Sequence, residues 1–256
     1  MLWALVMSGV LITPVSAGPS CSSNEDLIAQ ARSEYYNLTK RGLKSFKATI
    51  EPNWEVTLGP TATKENLKVF HALQFSMTFD ANGAVTVSNT VVKTQKPRTQ
   101  PFITQVHDNM QGLVASFFGT WSMFVVRSPF PETGSPMKIE NSREEYRVFN
   151  PTQSGDVMLT MTNEFLITDW KVTGPRGTGT VKPLFQRVDD GLLLTGYQSF
   201  FEPISEGLRT TMKISIEYQD VSGMKLPHTV RFSGMHGSEP VEAELTFKKY
   251  VLNPPG

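Results

Sequence analysis

A chain of 256 residues is long enough to bury a substantial hydrophobic core, as one large β domain or two smaller ones. We expect one domain. The 24 basic and 24 acidic side chains balance to a formal net charge of zero. Because such a chain has no strong long-range field, its composition argues against nucleic acid and other polyanions as partners.

The first 17 residues have the features of a secretory signal peptide. Residues 2–12 (LWALVMSGVLI) form an apolar run of suitable length, and Val15, Ser16 and Ala17 supply a cleavage site. The run is too short for a membrane-spanning helix, which needs roughly 20 apolar residues. We predict a signal peptide over 1–17, a single domain over 18–256, and a periplasmic protein that is peripheral to the membrane at most.

Cys21 is the single cysteine of the chain, so the fold contains no internal disulfide. Its place just after the signal peptide is that of an acylated bacterial lipoprotein cysteine, which makes Cys21 a candidate lipidation site. The alternative is ordinary cleavage after Ala17, because Pro19 stands where a lipoprotein signal has a small residue.

The first mature elements are predicted to be a helix and two strands. Asn24 is a candidate helix cap, and apolar residues at helical spacing predict a helix as far as about Gly42. In residues 43–58 the apolar side chains then alternate with polar ones, which indicates a strand with one buried face. A second alternation starts at His71, and the residues DANG at 80–83 are typical of a hairpin loop.

The C-terminal half shows the same alternation more clearly. Residues 212–218 and 241–247 each have apolar side chains at every second position, and further strand-like runs lie near 156–162, 164–172, 178–188, 191–201 and 226–235. Roughly ten strands with few helices favour a mainly β fold with a large antiparallel sheet. We predict a strongly curved sheet or incomplete barrel, covered by an N-terminal helix and a central amphipathic helix.

The glycine-rich stretch GPRGTGT at 174–180 is the one segment that suggests a phosphate site. Phosphate-binding glycine loops follow a strand and open a helix. Here the residues TVKPLF follow, which favour another strand. We therefore interpret the stretch as a hairpin turn.

Residues 101–121 break the β pattern. Apolar residues from Phe102 to Trp121 recur at spacings of three and four, as on the buried face of an amphipathic helix. Two alternatives stay open: the helix fills the core of the curved sheet, or helix and sheet enclose an adaptable apolar cavity rich in Met and Phe.

No catalytic or metal-binding pattern is found. The four histidines are scattered, and HExxH, CxxC and GxSxG motifs are absent from the sequence. The acidic pairs at 144–145 and 189–190 are typical of solvated turns and strand edges. We predict a protein that is not an enzyme and uses no cofactor and no metal.

Both ends of the domain resemble a known family. The segments SEYYNLTKRGLKSFKATIE (33–51), YQDVSGMKLPHTVRFSG (218–234) and VEAELTFKKYVLN (241–253) are similar to the ends of the LolA-like outer-membrane lipoprotein-sorting superfamily. That superfamily in turn resembles the LppX-like and RseB-type lipid-sensing domains. The resemblance implies a half-barrel whose apolar concave face is covered by helices and receives acyl chains.

Together these observations predict a binding protein that holds an acyl chain, lipid or lipoprotein during envelope lipid and lipoprotein trafficking. The alternative is an envelope sensor or interaction module with a filled core, a protein partner and no lipid cargo. The residues predicted to line the apolar cavity are Phe75, Phe79, Met110, Leu113, Phe117, Met212, Ile214, Ile216, Tyr218, Phe232, Leu245 and Phe247.

Overall fold

The structure is a computed structural model that describes residues 23–89, 100–153 and 155–254, with side chains from residue 104 onward in the second range. The predicted signal peptide, Cys21 and the side chain of Phe102 lie outside the described residues. The helices are α1 (Asn24–Ser33), α2 (Trp54–Leu58), α3 (Lys64–Phe70) and α4 (Gln100–Val125).

The described strands form one sheet of 12 members. They are β1 (Ser45–Pro52), β2 (Phe75–Asp80), β3 (Val85–Asn89), β4 (Lys138–Asn141), β5 (Glu145–Thr152), β6 (Gly155–Thr162), β7 (Ile167–Gly174), β8 (Gly177–Val188), β9 (Gly191–Pro203), β10 (Thr210–Val221), β11 (Met224–His236) and β12 (Glu239–Leu252). The order across the sheet is β3-β2-β1-β12-β11-β10-β9-β8-β7-β6-β5-β4.

The sheet is antiparallel throughout and does not close. Strands β4 to β12 follow one another as a meander, while β1 pairs with both β2 and β12 and so joins the two ends of the domain. The edge strands β3 and β4 are consecutive in the chain, and the segment that contains α4 connects them. The prediction of a mainly β fold with an open antiparallel sheet and covering helices is confirmed.

One side chain of α4 demonstrates the curvature. The Trp121 ring lies 5.8 Å from that of Phe79 on β2, and its Nε1 donates a hydrogen bond of 3.0 Å to Tyr218 on β10. Strands β2 and β10 are four places apart, roughly 19 Å in a flat sheet. A single indole contacts both because the sheet curls around the helix.

The N-terminal helix is shorter than predicted. It is capped by Ser23 instead of Asn24, and it ends at Ser33 instead of near Gly42. The chain leaves the helix because Tyr36 N–H donates to Leu192 O and Leu192 N–H donates to Glu34 O, which attaches this segment to β9. Gly42 caps a short 3₁₀ turn (Thr39–Arg41) in a left-handed conformation, with φ of 84°.

The two predicted N-terminal strands were too long. The first ends at Pro52, because the Asn53 side chain accepts a hydrogen bond from Val56 N–H and starts α2. Likewise His71 is the C-cap of α3 rather than the start of a strand, and β2 begins only at Phe75. The connection between β1 and β2 is therefore helical, which the alternation of apolar residues did not indicate.

The glycine-rich stretch is a hairpin, as predicted. β7 and β8 pair up to Gly174 and Gly177, so that Pro175 and Arg176 form the turn. Gly177 has φ of 153°, and a Cβ there would lie 2.4 Å from Glu202 O on the neighbouring strand. The glycine is thus needed for a close backbone approach, and no helix follows that would hold a phosphate.

Candidate ligand-binding groove

The C-terminal half of α4 fills the interior of the curved sheet. Phe118 is fully buried, with its ring 5.7 Å from Phe46 on β1, 5.6 Å from Phe79 on β2 and 5.4 Å from Phe247 on β12. Six residues later, Phe124 packs edge-on against Phe185 on β8 at 5.8 Å. Here the helix is a fixed part of the core.

The polar groups inside this core are paired with one another. Tyr218 accepts from the Trp121 indole and donates to the carbonyl oxygen of Leu194 at 2.5 Å. Burial raises the pKa of Tyr218 well above its usual value, so the phenol remains neutral. Among the described residues every buried side-chain polar atom has a hydrogen-bond partner. The network orients the side chains of the core.

The N-terminal half of α4 is different, because it borders an open groove of about 880 Å³. This volume lies within the roughly 300–1,000 Å³ that is typical of small-molecule sites. We call this groove the large lobe. It lies between α4, the helices α2 and α3, and the ends of β10, β11 and β12. The described residues that line it are Trp54, Thr57, Leu58, Phe70, Gln105, Val106, Asp108, Asn109, Met110, Gly112, Leu113, Thr210, Met212, His236, Pro240, Val241, Glu242 and Ala243.

A second cavity of about 420 Å³, the small lobe, lies further along the sheet. Leu113, Thr210 and Met212 line both lobes, so the two adjoin. The other residues of the small lobe are Ser116, Phe117, Thr120, Trp170, Gly179, Thr180, Val181, Tyr197, Ser199, Phe200, Phe201, Ile214 and Phe232. Together the lobes cross six neighbouring strands, β7 to β12, a length of roughly 24 Å.

The described lining residues of this groove carry few ionisable side chains, all of them at the large lobe. They are the carboxylates of Asp108 and Glu242 and the imidazole of His236, and none of the described residues that line either lobe is a lysine or arginine. His236 Nδ1 lies 2.9 Å from Thr210 Oγ1. The lining residues of the small lobe that the structure describes are all neutral. Such a groove suits a long uncharged chain, with any polar group placed at the large lobe.

Hydrogen bonds to the edge strand β3 hold the N-terminal half of α4 in place. Gln111 Oε1 accepts from Val87 N–H at 2.7 Å, and Gln111 Nε2 donates to Val85 O at 3.2 Å. One amide thus satisfies two outward-facing backbone groups of the edge strand, which would otherwise be available for pairing with another chain. It also positions the helix that forms one wall of the groove.

Half of the residues predicted to line a cavity line the two lobes. They are Met110, Leu113, Phe117, Met212, Ile214 and Phe232. The other half lie in the packed core around the C-terminal half of α4 and the adjoining strands: Phe75, Phe79, Ile216, Tyr218, Leu245 and Phe247.

Sequence reasoning missed two groups of groove residues. Trp54 and Leu58 lie within residues 43–58, which the alternation predicted to be strand, and Phe70 lies in α3, where no element was predicted. The small lobe is closed by residues of β7, β8 and β9 such as Trp170 and Val181. Trp170 was a usable signal, because a large aromatic residue in a strand usually packs against another element.

Other features of the described residues offer no competing site. A depression of about 600 Å³ near the β4 edge includes Lys138, Glu140, Asp156 and Lys171 in its lining, so it is far more highly charged than the groove. No group of three or more His, Cys, Asp or Glu side chains in the described ranges is placed to hold a metal ion. Nor does any helix described here have the length and apolar character needed to cross a membrane.

Comparisons with known proteins add no family to this description. No protein-family model, curated protein or solved structure matches the chain. The similarity to the LolA-like superfamily therefore stays a prediction from the sequence, and the functional argument rests on the groove.

Proposed function

We propose that this protein is a non-catalytic, periplasmic carrier that holds the acyl chain of a lipid or lipoprotein in the groove beside α4. The observation that carries the proposal is that two largely apolar lobes adjoin and share Leu113 and Met212 in their linings. The resemblance of both chain ends to lipoprotein-sorting proteins supports the same function, in envelope lipid and lipoprotein trafficking. Anchoring through Cys21 belongs to this proposal.

Burial of the chain supplies the binding energy. Each buried methylene contributes roughly 0.8 kcal/mol, so about ten methylenes offer ~8 kcal/mol before the costs of association and ordering. What remains after those costs is enough for reversible binding without any covalent step. Met110 and Met212 suit this role, because flexible thioether side chains adapt to chains of different shape.

An interaction or sensor module is the second candidate. The observation that favours it is the filled interior, where Phe118, Trp121 and Phe124 occupy the space that an entirely hollow half-barrel would offer to cargo. In that case the groove would be a surface feature, and a strand edge or loop would contact an envelope protein. The two candidates differ in whether the purified protein binds lipid.

The test compares two tryptophan variants in binding a fluorescent acyl-chain probe. Leu113→Trp places an indole at the boundary of the two lobes, whereas Leu184→Trp adds the same bulk at a position that is 52% exposed and lines neither lobe. We expect wild type and Leu184→Trp to bind the probe equally. Displacing about two methylenes in Leu113→Trp costs ~1.6 kcal/mol, or roughly fifteenfold in affinity.

Mass spectrometry of lipid that co-purifies with the wild type completes the test. A stoichiometric lipid that is depleted in Leu113→Trp supports the carrier. A wild type that neither co-purifies with lipid nor binds the probe excludes it in favour of the interaction module. Equal probe binding by Leu113→Trp and wild type would place the binding site elsewhere.

A further inference from the structure

The turn between β9 and β10 exposes an unusual number of apolar side chains. We call residues 200–209 the hairpin tip. Within the tip, Phe200 is 39% exposed, Phe201 40%, Ile204 67% and Leu208 58%. Met235, which lies outside the tip on the neighbouring strand β11, is 39% exposed. These five make up more than half of the large apolar side chains that the described residues expose. Apolar side chains gathered in this way mark an interaction site.

The hairpin tip lies at the mouth of the groove. Phe200 and Phe201 line the small lobe while remaining partly exposed to solvent. On the other side, a Cβ on Gly237 would lie 3.0 Å from Leu208, and the preceding residue, His236, lines the large lobe. The exposed apolar surface thus joins the lining of the small lobe and lies beside one end of the large lobe.

The charges of the tip do not favour a charged partner. Glu202 and Arg209 form an ion pair at 2.7 Å, which leaves Glu206 as the other formal charge among residues 200–209. The nearby Lys182 ammonium lies over the Phe200 ring at 5.9 Å. Arg176 also lies beside the tip, because its carbonyl oxygen accepts a hydrogen bond from Ile204 N–H, so the tip and these neighbours carry three basic and two acidic side chains. Three basic groups that are nearly balanced by two carboxylates fall short of the polybasic clusters that bind acidic lipids. Its attraction must come from burying apolar surface.

We propose that the hairpin tip inserts into the surface of a lipid bilayer and brings the groove mouth into contact with the membrane. This inference rests on the proposed function, because an acyl chain moves between groove and bilayer most readily where one apolar surface joins the other. Side chains as exposed as Ile204 and Leu208 protrude from the hairpin and match the interfacial zone of a bilayer, which takes up apolar groups without requiring a complementary shape.

The test measures partition of the purified full chain onto phosphatidylcholine vesicles by flotation. The tip variant carries Ile204→Ser and Leu208→Ser, neither of which lines the groove. The matched control carries Leu184→Ser and Val251→Ser, two apolar residues that are each 52% exposed outside the tip. Any contribution of the N-terminus is the same in all three proteins. We expect the tip variant to lose roughly tenfold in partition and the control to equal wild type.

Three results would overturn the proposal. One is a wild type that does not float with the vesicles, and another is equal partition of tip variant and control. The third is self-association of the wild type in solution that the tip variant abolishes, since the tip would then contact a second copy of the chain. Binding of the soluble acyl probe separates this proposal from the carrier function: the tip variant retains probe binding if the groove is the binding site.

Discussion

Replacing Phe118 with alanine tests whether α4 is a fixed part of the core or a movable cover. The Phe118 side chain is fully buried, and its ring lies within 6 Å of five other aromatic rings. If α4 is fixed, the alanine leaves a cavity that these rings cannot fill. If the helix lifts readily, the same contacts contribute little to stability.

The expected cost follows from the packing. Phenylalanine-to-alanine changes in well-packed cores cost about 3–5 kcal/mol, and the aromatic contacts place Phe118 toward the upper end of that range. A loss of ~4 kcal/mol is a large fraction of the 5–15 kcal/mol that stabilises a typical domain. With a urea dependence of roughly 2–3 kcal/mol per molar, the unfolding midpoint should fall by ~1.3–2 M.

Equilibrium unfolding in urea, followed by tryptophan fluorescence, measures this change. Leu113→Ala is the control, because Leu113 lies on the same helix but borders the groove and is only partly buried. We expect it to cost clearly less than Phe118→Ala. A loss below about 1 kcal/mol for Phe118→Ala would refute a fixed α4, since no fully buried phenylalanine in a rigid core is removed so cheaply.

Two further predictions concern polar contacts. Gln111→Ala leaves Val87 N–H and Val85 O without their side-chain partner, so hydrogen exchange at the Val87 amide should accelerate. The control variant Asn109→Ala should leave this exchange rate unchanged. Equal exchange rates in the two variants would contradict the role of Gln111. Hydrogen bonding from Asn53, followed by Arg231, lowers the pKa of Glu244 below its usual value near 4.5. Its contribution to stability is therefore present above pH ~4.5 and lost as the pH falls through the lowered pKa, so wild type should lose more stability on acidification than Glu244→Gln. If the free energy of unfolding changes with pH by the same amount in both proteins, Glu244 does not make this contribution.

The elements that the sequence predicted best are those with a local signal. In β12 the alternation from Val241 to Phe247 appears in the structure as buried Ala243, Leu245 and Phe247 with less buried residues between them. In α4 the spacing of three and four found the helix, which extends to Val125 beyond the predicted end at Trp121. Both patterns arise because one face of a regular element packs against the core.

The misjudged elements depend on partners far away in the sequence. The chain leaves α1 after Ser33 because backbone groups near Tyr36 pair with Leu192, about 150 residues later. Helices α2 and α3 have 5 and 7 residues, too few to show a helical period, and only the caps Asn53 and Thr63 mark their beginnings. Strands β4, with 4 residues, and β5, with 8, were not predicted at all, although they complete one edge of the sheet.

The groove was harder to predict because its walls come from separate parts of the chain. The sequence pointed to Met110, Leu113 and Met212 as apolar residues on inward faces, but a pattern of apolar residues is the same for a filled core and an open groove. The difference depends on how far α4 extends beyond the aromatic cluster around Phe118. The position of this cluster along α4 is set by how the strands assemble around the helix, and the sequence pattern of α4 alone does not reveal it.

The two halves of α4 also determine how cargo reaches the groove. Lifting the helix would break the hydrogen bonds of Gln111 to β3 and separate Phe118 from its aromatic neighbours, at a cost comparable with the stability of a whole domain. Entry past the hairpin tip requires neither, because Phe200 and Phe201 already link the small lobe to solvent. A disulfide or cross-link that fixes α4 to β3 should therefore leave acyl binding intact, whereas a bulky label on the tip should slow it. The fixed core and the open groove are compatible in one fold because neighbouring residues of the same helix serve each: Phe118 and Trp121 pack in the aromatic core, whereas Leu113, Ser116 and Thr120 border the small lobe.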